Sequence, residues 1–342
     1  IARSGSVVTD IPAEILPVWT RKLVGRLGSC VIVGDRVFVA GVEGESVFCL
    51  SASSGKVLWR FIAGGIVDSP PSIYRALAIF GCRDGYVYAV DTCSGELIWK
   101  YRPGPAEEWF LGRGEMISIW PVRTGILVDD GVAYFGAGVF PHENVYMCAV
   151  DASDGHVIWR NDNISHLEAG REDLSPQGYL LASPEHIYVP SGRTKPKSFD
   201  RQTGTLLGAA MTSLGISSGT VAGTSAIMIE GRLHLYSPGS HVAGTGAATF
   251  VTTGGHVARI DSKSYGKLNA AVAKLKTEYR DLFGKNRSGS IDDEQYRQQT
   301  ERISLQIQSL ADADAVWRTP CDANSALIVA GPHAFVLSLI HI

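Results

Sequence analysis

The feature that most constrains this chain is a short unit of sequence that occurs three times. The copies span residues 47–59, 87–99 and 147–159 and read VFCLSASSGKVLW, VYAVDTCSGELIW and MCAVDASDGHVIW. In each copy, alternating apolar residues flank a polar turn that contains a glycine, and a tryptophan follows the glycine by four positions. Alternation is typical of β-strands, and glycine supplies the positive φ that closes a tight turn. Each copy therefore predicts a strand, a turn and a second strand.

Another pair of predicted strands precedes these units. Residues 30–40 and 126–135 contain the pairs Gly-Asp and Asp-Gly between apolar runs, which are strong hairpin signals. Two hairpins per unit make four strands, and the tryptophans lie 40 and then 60 positions apart, as expected for propeller blades with loop insertions. Degenerate copies at residues 198–204 and 258–266 keep an aspartate and a glycine, but neither keeps the tryptophan. We expect five complete blades and part of a sixth.

The recurring residue types within the unit have a physical role in a stacked structure. The carboxylates of Asp91 and Asp151 are expected to accept hydrogen bonds from backbone two residues further on. Large flat side chains at Trp59, Trp99 and Trp159 are expected to cover the seam between one blade and its neighbour. We therefore interpret the tryptophans as packing residues.

Further segments, together with the repeated turns, resemble the PQQ-like β-propeller repeat proteins. They are residues 65–74 (GIVDSPPSIY), 175–183 (SPQGYLLAS), 189–193 (VPSGR) and the opening 2–5 (ARSG). The resemblance covers nearly the whole chain. It implies an all-β fold, an eight-bladed propeller of four-stranded antiparallel blades that is truncated here, and a periplasmic or otherwise extracytoplasmic location. On this basis residues 1–342 form a single propeller domain that is incomplete at both ends, and the last six residues look like translated adapter sequence.

Composition excludes some classes of partner. The chain has 38 glycines and 15 prolines among 342 residues, which favours many tight turns, and 45% hydrophobic residues are ample for a sizeable core. A net charge of −3 gives no electrostatic reason to expect nucleic acid as a partner. No apolar run reaches the ~18 residues of a membrane-spanning helix. We expect no nucleic acid partner and no membrane span in this chain.

The family resemblance leaves the question of a cofactor open. Quinoprotein dehydrogenases of this fold commonly carry a vicinal disulfide over pyrroloquinoline quinone (PQQ), a calcium site and a catalytic aspartate. The six cysteines here include no adjacent pair and no C-x-x-C, so no motif supports PQQ or calcium. The same repeats occur in the non-catalytic propeller subunit of the bacterial outer-membrane protein assembly machinery. We expect a non-catalytic scaffold or binding module without cofactor, metal or catalytic residues; the alternative is a quinone-dependent oxidoreductase that lacks the disulfide.

One irregular insert is a candidate ligand site. Residues 103–121 contain a mixture of charged and aromatic side chains, namely Glu107, Glu108, Trp109, Arg113, Glu115 and Trp120. Such residues are expected at the channel mouth, where propellers usually bind ligands, but they also occur in loops that only pack. The sequence GISSG at 215–219 matches G-x-S-x-G, and we interpret it as a chance match because its surroundings predict propeller loops.

A second insert, at residues 267–310, has helical periodicity. Apolar side chains recur at alternating spacings of four and three residues in two runs, Leu268, Val272, Leu275, Tyr279 and Leu282, then Tyr296, Thr300, Ile303, Ile307 and Leu310. This predicts an antiparallel coiled-coil hairpin with a turn at 284–290. The hairpin is either a self-packed decoration or an arm that docks a protein partner. Residues 284–295 weakly resemble an EF-hand loop, but Gly284 and Gln295 replace two calcium-binding carboxylates.

Overall fold

The computed structural model describes residues 6–7, 16–112, 114–164, 173–191, 196–209, 226–229, 232–235, 241–244, 248–253, 255–313, 315–321, 326–330 and 333–337. Arg113, the G-x-S-x-G segment at 215–219 and residues 338–342 lie outside them. The chain divides into two compact units, the first covering residues 13–210 and the second mainly residues 226–342.

The first unit contains four sheets of four antiparallel strands, each with its strands in chain order. Blade 1 consists of Leu27–Val33, Arg36–Gly41, Ser46–Ser51 and Val57–Ile62. Blade 2 consists of Ser72–Tyr74, Leu77–Gly81, Val87–Asp91 and Leu97–Tyr101. Blade 3 consists of Leu127–Asp129, Val132–Ala137, Tyr146–Asp151 and Val157–Asn161. Blade 4 consists of Leu181–Ala182, His186–Val189, Lys197–Asp200 and Leu206–Ala209.

The described residues of the second unit form a fifth four-stranded sheet and two smaller ones. Blade 5 consists of His241–Gly244, Ala248–Thr253, His256–Asp261 and Ala315–Pro320. Ala226–Ile229 pairs with Arg232–Leu235, and Ala326–Ala330 pairs with His333–Leu337 and with Ser6–Val7. The fold is therefore the predicted β-propeller built from four-stranded antiparallel blades, whereas the total of eight blades stays a prediction.

Short elements join the blades of the first unit. Trp109–Gly112 and Glu115–Ser118 form a hairpin, Thr124–Gly125 pairs in parallel with Gly178–Tyr179, and Pro141–Glu143 forms one 3-10 turn.

The core lies between successive blades. Alternate residues of a strand face opposite neighbours, so Phe80 of blade 2 packs among residues of blade 1, while the adjacent Ile79 packs among residues of blade 3. The middle two strands of blades 1, 2 and 3 are almost entirely buried. This burial on both faces explains why the strands are apolar at nearly every position.

Tryptophan joins each blade of the first unit to the next. The indole of Trp59 packs on Gly95 in the last turn of blade 2, and its Nε1–H donates a hydrogen bond to the carbonyl of Thr92 at 3.0 Å. Equivalent contacts are made by Trp19, Trp99 and Trp159, which donate to Ala52, Ala152 and Arg201 at 2.7, 3.3 and 3.1 Å and lie on Gly55, Gly155 and Gly204. We call this the indole–turn contact. The predicted packing role of the repeated tryptophans is confirmed, and Trp19 is a further member that sequence reasoning missed.

The turn itself is closed by an acidic side chain and a left-handed glycine. Asp91 Oδ1 accepts the backbone N–H groups of Ser94 and Cys93, both at 2.8 Å, and these donors lower the pKa of the Asp91 carboxyl. Gly95 has a φ of +76°, and a Cβ there would lie 2.7 Å from the Trp59 ring. The turn therefore requires glycine for two independent reasons.

Blade 5 departs from this pattern, because the tryptophan that the copy at 258–266 lacks at the usual spacing comes from beyond the helical insert. Trp317 lies opposite Arg259 in the fourth strand, the register that Trp99 has opposite Ala89 in blade 2. Trp317 lies far along the chain from residues 258–266, because the helical insert occupies the place of the turn. Asp261, which would otherwise close a turn, accepts a hydrogen bond from the N–H of Ser264 at 3.3 Å and caps the first helix.

The insert forms two helices, α1 at Ser262–Arg287 and α2 at Asp293–Ala313, which extend beyond the predicted 267–310 at both ends. Leu282 and Ile303 are 5% and 2% exposed, so the predicted apolar seam is present at these positions, whereas Tyr279, also predicted for the seam, is 41% exposed. At its base the hairpin packs on blade 5 through Leu268 and Ile260. Neither helix, nor any other in the described part of the chain, has the length and apolar character needed to cross a bilayer.

The connection between the helices is shorter than the predicted turn at 284–290, because α1 continues through Gly284. It ends where Gly289, at φ +72°, lets Ser290 N–H donate to Lys285 and Gly289 N–H donate to Asn286. Helix α2 then begins with a reciprocal pair in which Asp292 and Gln295 each accept the other's backbone N–H. The segment that weakly resembles a calcium loop thus ends one helix and starts another.

We expect Gly95→Ala to destabilise the protein by about 3 kcal/mol, since it adds both a left-handed backbone penalty and a clash with Trp59. Gly34→Ala is the matched control. Gly34 also has a positive φ, +58°, but a Cβ there would have no other atom within 4 Å, so about 1 kcal/mol is expected. Urea denaturation of both variants measures the difference, and equal losses would contradict a stabilising indole–turn contact.

Candidate functional site

Strand order determines where the long connections of the first unit meet. In antiparallel blades with strands in chain order, the link from the second to the third strand emerges at the same end as the link to the next blade. Residues 82–86 in blade 2 are of the first kind, and residues 63–71 and 102–126 are of the second. We call this side of the first unit the loop end. It contains the insert 103–121 that the sequence marked as a candidate site.

Backbone hydrogen bonds attach the insert to blade 2. Ser118 N–H donates to the carbonyl of Arg83 at 2.9 Å, and Val122 N–H donates to the carbonyl of Cys82 at 3.0 Å. On the other side, Arg83 N–H donates to the carbonyl of Ile66 at 2.9 Å. The backbone of the segment 82–86 is therefore hydrogen-bonded to both linkers.

A guanidinium with two carboxylates lies at the centre of this arrangement. Arg83 Nε and Nη2 donate to the two oxygens of Asp68 at 2.8 and 2.6 Å, and Glu115 Oε2 lies 3.9 Å from Nη1. The Asp68 hydrogen bonds raise the pKa of the Arg83 guanidinium. Both partners of the bidentate pair are mostly buried, with side chains 20% and 22% exposed. This geometry fixes the linker 63–71 to the segment 82–86.

A buried carboxylate lies next to that ion pair. Asp84 accepts the backbone N–H of Tyr86 at 3.0 Å and the hydroxyl hydrogen of Tyr88. Burial, and then the Asp84 carboxylate, raise the pKa of the Tyr88 hydroxyl. Burial likewise raises the pKa of the Cys82 thiol, which is therefore not activated as a nucleophile.

A third set of contacts, around Tyr86 and Glu107, lies at the protein surface. Tyr86 donates its hydroxyl hydrogen to Glu107, whose carboxylate also lies 3.3 Å from Arg102 Nη1. The hydrogen bond from Tyr86 lowers the pKa of Glu107, and the same bond raises the pKa of Tyr86. The Lys100 ammonium lies 4.6 Å from the centre of the Tyr86 ring. Glu107 is thus held as an ionised acceptor.

The structure separates the predicted insert residues into two groups. Glu107 and Glu115 join the charged network, whereas Trp120 is 6% exposed and donates its indole N–H to the carbonyl of Glu143 at 2.8 Å. Trp109 is 39% exposed, and Glu108 contributes its backbone carbonyl to Ile119 N–H.

Sequence reasoning missed Asp68, Arg83 and Asp84. The one local signal at these positions is the pair Asp84-Gly85, which is typical of a turn.

The two buried or half-buried carboxylates of this site, Asp68 and Asp84, form hydrogen bonds within the chain. No group of three His, Cys, Asp or Glu side chains in the described ranges is arranged to hold a metal ion. The buried thiols Cys49, Cys82 and Cys148 belong to three different blades.

Four-stranded blades joined by indole–turn contacts define a β-propeller with PQQ-like repeats. A family model described as outer membrane protein assembly factor BamB matches residues 16–128 and, in a second placement, residues 83–213. Because these ranges include more than half of the chain, the protein belongs to this family of PQQ-like repeat proteins.

Several relatives share about a quarter of their matched residues with this chain. Tetrathionate hydrolase of Acidithiobacillus ferrooxidans is 24% identical over 178 residues, 48% of this chain and 31% of that protein. The 1-butanol dehydrogenase (quinone) of Thauera butanivorans is 27% identical over 208 residues, 56% and 33% of the two chains. BamB of Yersinia pestis is 28% identical over 175 residues, 46% and 40% of the two chains. The matches therefore span about a third of the length of the first two relatives.

Among solved structures, BamB from Moraxella catarrhalis is similar over 68% of this chain and 60% of that chain, at 18% identity and a TM-score of 0.43.

We expect Asp68→Ala to destabilise the protein by about 2 kcal/mol, because it leaves the largely buried Arg83 without its bidentate partner. Asp35→Ala is the control, since the Asp35 side chain is 85% exposed and its carboxylate lies 3.8 Å from Arg36 Nε. Its loss is expected to be under about 0.5 kcal/mol. Similar losses in urea denaturation would argue against a structural role for the Arg83–Asp68 pair.

We expect Glu107→Gln to lower the pKa of Tyr86 toward the ordinary tyrosine value of about 10, because a neutral amide no longer disfavours the phenolate. NMR titration with ¹³C-labelled tyrosine follows the Tyr86 resonance directly. Glu108→Gln serves as the control and should leave that titration unchanged. An unaltered Tyr86 titration in Glu107→Gln would disprove the contact.

Proposed function

We propose that this protein is a non-catalytic propeller, a rigid scaffold or binding module that presents surfaces to other molecules. The proposal rests on the hydrogen bonds that the charged side chains form at the loop end. Arg83, Asp68 and Asp84 form hydrogen bonds with other groups of this chain. They therefore stabilise the segments at the loop end, and their polar atoms are not free to bind a substrate. A scaffold needs such rigidity, whereas a general base needs an oxygen or nitrogen that reaches the substrate.

We further propose a protein as the partner, with the α1–α2 hairpin as its docking arm. The hairpin buries its own seam and still exposes large apolar side chains: Tyr279, Phe283 and Leu305 are 41%, 53% and 62% exposed. It is inserted where other blades have a five-residue turn, so the blade does not need it for strand pairing. The relative named an assembly factor supports a protein partner and a location outside the cytoplasm.

A quinone-dependent oxidoreductase is the second candidate. It is favoured by relatives whose names state quinone dehydrogenase activity, among them the 1-butanol dehydrogenase. The hydrogen bonds that Asp68 and Asp84 already accept within the chain weigh against it.

The docking arm can be replaced by a blade turn while the strand register of blade 5 is kept. Ile260 pairs with Ala315 in the register in which Val150 pairs with Val157 in blade 3. Residues 262–314 are therefore replaced by the turn sequence 152–156, which leaves both strands and Trp317 in place. We expect this turn graft to fold and to lose a partner that the intact chain captures from a bacterial cell-envelope extract.

A photo-crosslinking residue at Leu305, with one at Asp35 as the control, tests where the partner lies. We expect the same partner to be crosslinked only from position 305. If the turn graft and the intact chain capture the partner equally, the hairpin is not the docking arm, while the scaffold proposal is unaffected.

The oxidoreductase alternative is tested by adding PQQ and calcium chloride to the purified chain. We expect no saturable change in quinone absorbance at micromolar quinone and no reduction of an electron-accepting dye with primary alcohols. Saturable binding together with alcohol-dependent dye reduction would overturn the non-catalytic proposal.

A further inference from the structure

A polar groove lies at the seam between blades 3 and 4, at the end opposite the loop end. Its volume is about 530 Å³, within the range of about 300–1,000 Å³ that is typical of small-ligand sites. Among the residues that line it are Asp129, Asp130, Tyr134, Trp159, Arg201 and Gln202. We call it the seam groove. It belongs entirely to the first unit and is separate from the charged network at Arg83.

The indole–turn contact makes one wall of the groove aromatic and rigid. Trp159 is held on Gly204, and its Nε1–H is already donated to the carbonyl of Arg201. The Tyr134 ring lies 6.0 Å from the Trp159 ring, with the two planes tilted by 45°. The groove therefore offers fixed aromatic surface that need not reorganise when a ligand binds.

Arg201 is held in place by three neighbours. Its Nε donates to the Tyr134 hydroxyl at 3.1 Å, its Nη1 donates to the carbonyl of Ser183 at 3.3 Å, and its Nη2 lies 2.8 Å from an Asp129 oxygen. A guanidinium has five N–H groups, so two of them remain for a ligand. Since its side chain is 15% exposed, the guanidinium direction is fixed before binding.

Two further polar side chains line the groove. The carboxylate of Asp130 and the side-chain amide of Gln202 form no hydrogen bond with any other described side chain or backbone group. Asp130 lies at a hairpin turn with a φ of +50°, and Gln202 lies in the last turn of blade 4. Together with Arg201 they provide both hydrogen-bond donors and acceptors around the aromatic wall.

The polar groups of the lining decide which ligand is favoured. Arg201 balances the charge of Asp129, so Asp130 leaves one net negative charge that disfavours an anion. A small cation would use Asp130 alone, whereas a neutral ring with several hydroxyls can donate to Asp130 and also accept hydrogen bonds from Arg201 and Gln202. Its C–H face can pack on the indole. We propose that the seam groove is a binding site for a saccharide.

The test uses the intact chain and four soluble sugars, methyl α-glucoside, methyl β-galactoside, N-acetylglucosamine and maltose. Saturation-transfer NMR identifies the sugar that binds, and calorimetry measures its Kd. The double variant Asp130→Gly and Gln202→Ala removes both uncommitted side chains, and glycine is compatible with the positive φ. We expect the Kd to rise at least about tenfold, the change expected from losing a hydrogen bond to a charged group.

Asp35→Ala is the matched control, because Asp35 is also a hairpin-turn carboxylate but belongs to blade 1. Its Kd should equal that of the intact chain. n-Butylammonium chloride and sodium acetate are included as a cation and an anion. The proposal is overturned if none of the four sugars binds at millimolar concentration, if the double variant binds as well as the intact chain, or if butylammonium or acetate binds and the sugars do not.

Discussion

The contact between an indole and a glycine turn of the next blade is the interaction on which the first unit depends. It occurs at Trp19, Trp59, Trp99 and Trp159, each time with the indole N–H bonded to a turn carbonyl. The turn must have a left-handed residue without a side chain, and the blade before it must end in a large flat ring. These two requirements together bring the apolar faces of successive sheets into contact and so form the core.

Both candidate surfaces follow from this stacking. Stacked blades bring their linkers together at the loop end, where Arg83 and Asp68 come from different linking segments and form a mostly buried ion pair. At the opposite end, Trp159 and Arg201 make the indole–turn contact and also line the seam groove. The chemistry at the loop end stabilises the fold, while the polar groups of the groove are partly uncommitted. This difference is the basis on which we propose scaffold and binding functions for the two surfaces.

The candidate site could be predicted only in part. Charged and aromatic residues in the insert 103–121 pointed to the correct region, and Glu107 and Glu115 do join its network. Trp120 has the same sequence signal but is buried as a packing residue. Asp68 and Arg83 could not be found, because they are fifteen positions apart and are ordinary residues of loops. Their pairing depends on how the linker 63–71 meets the segment 82–86, which no local pattern records.

The sequence by itself determined the repeated strands, the glycine turns and the two helices. These follow from local rules: alternation marks a strand, a period near 3.6 marks a helix, and only glycine adopts a left-handed turn without cost. The tertiary structure alone decided that Trp317 completes blade 5 from beyond the helices, that Trp19 belongs to the same series as the repeats, and that Trp159 and Arg201 form a groove. Such relations depend on hydrogen bonds and packing between residues far apart in the chain, and these exist only once the sheets have stacked.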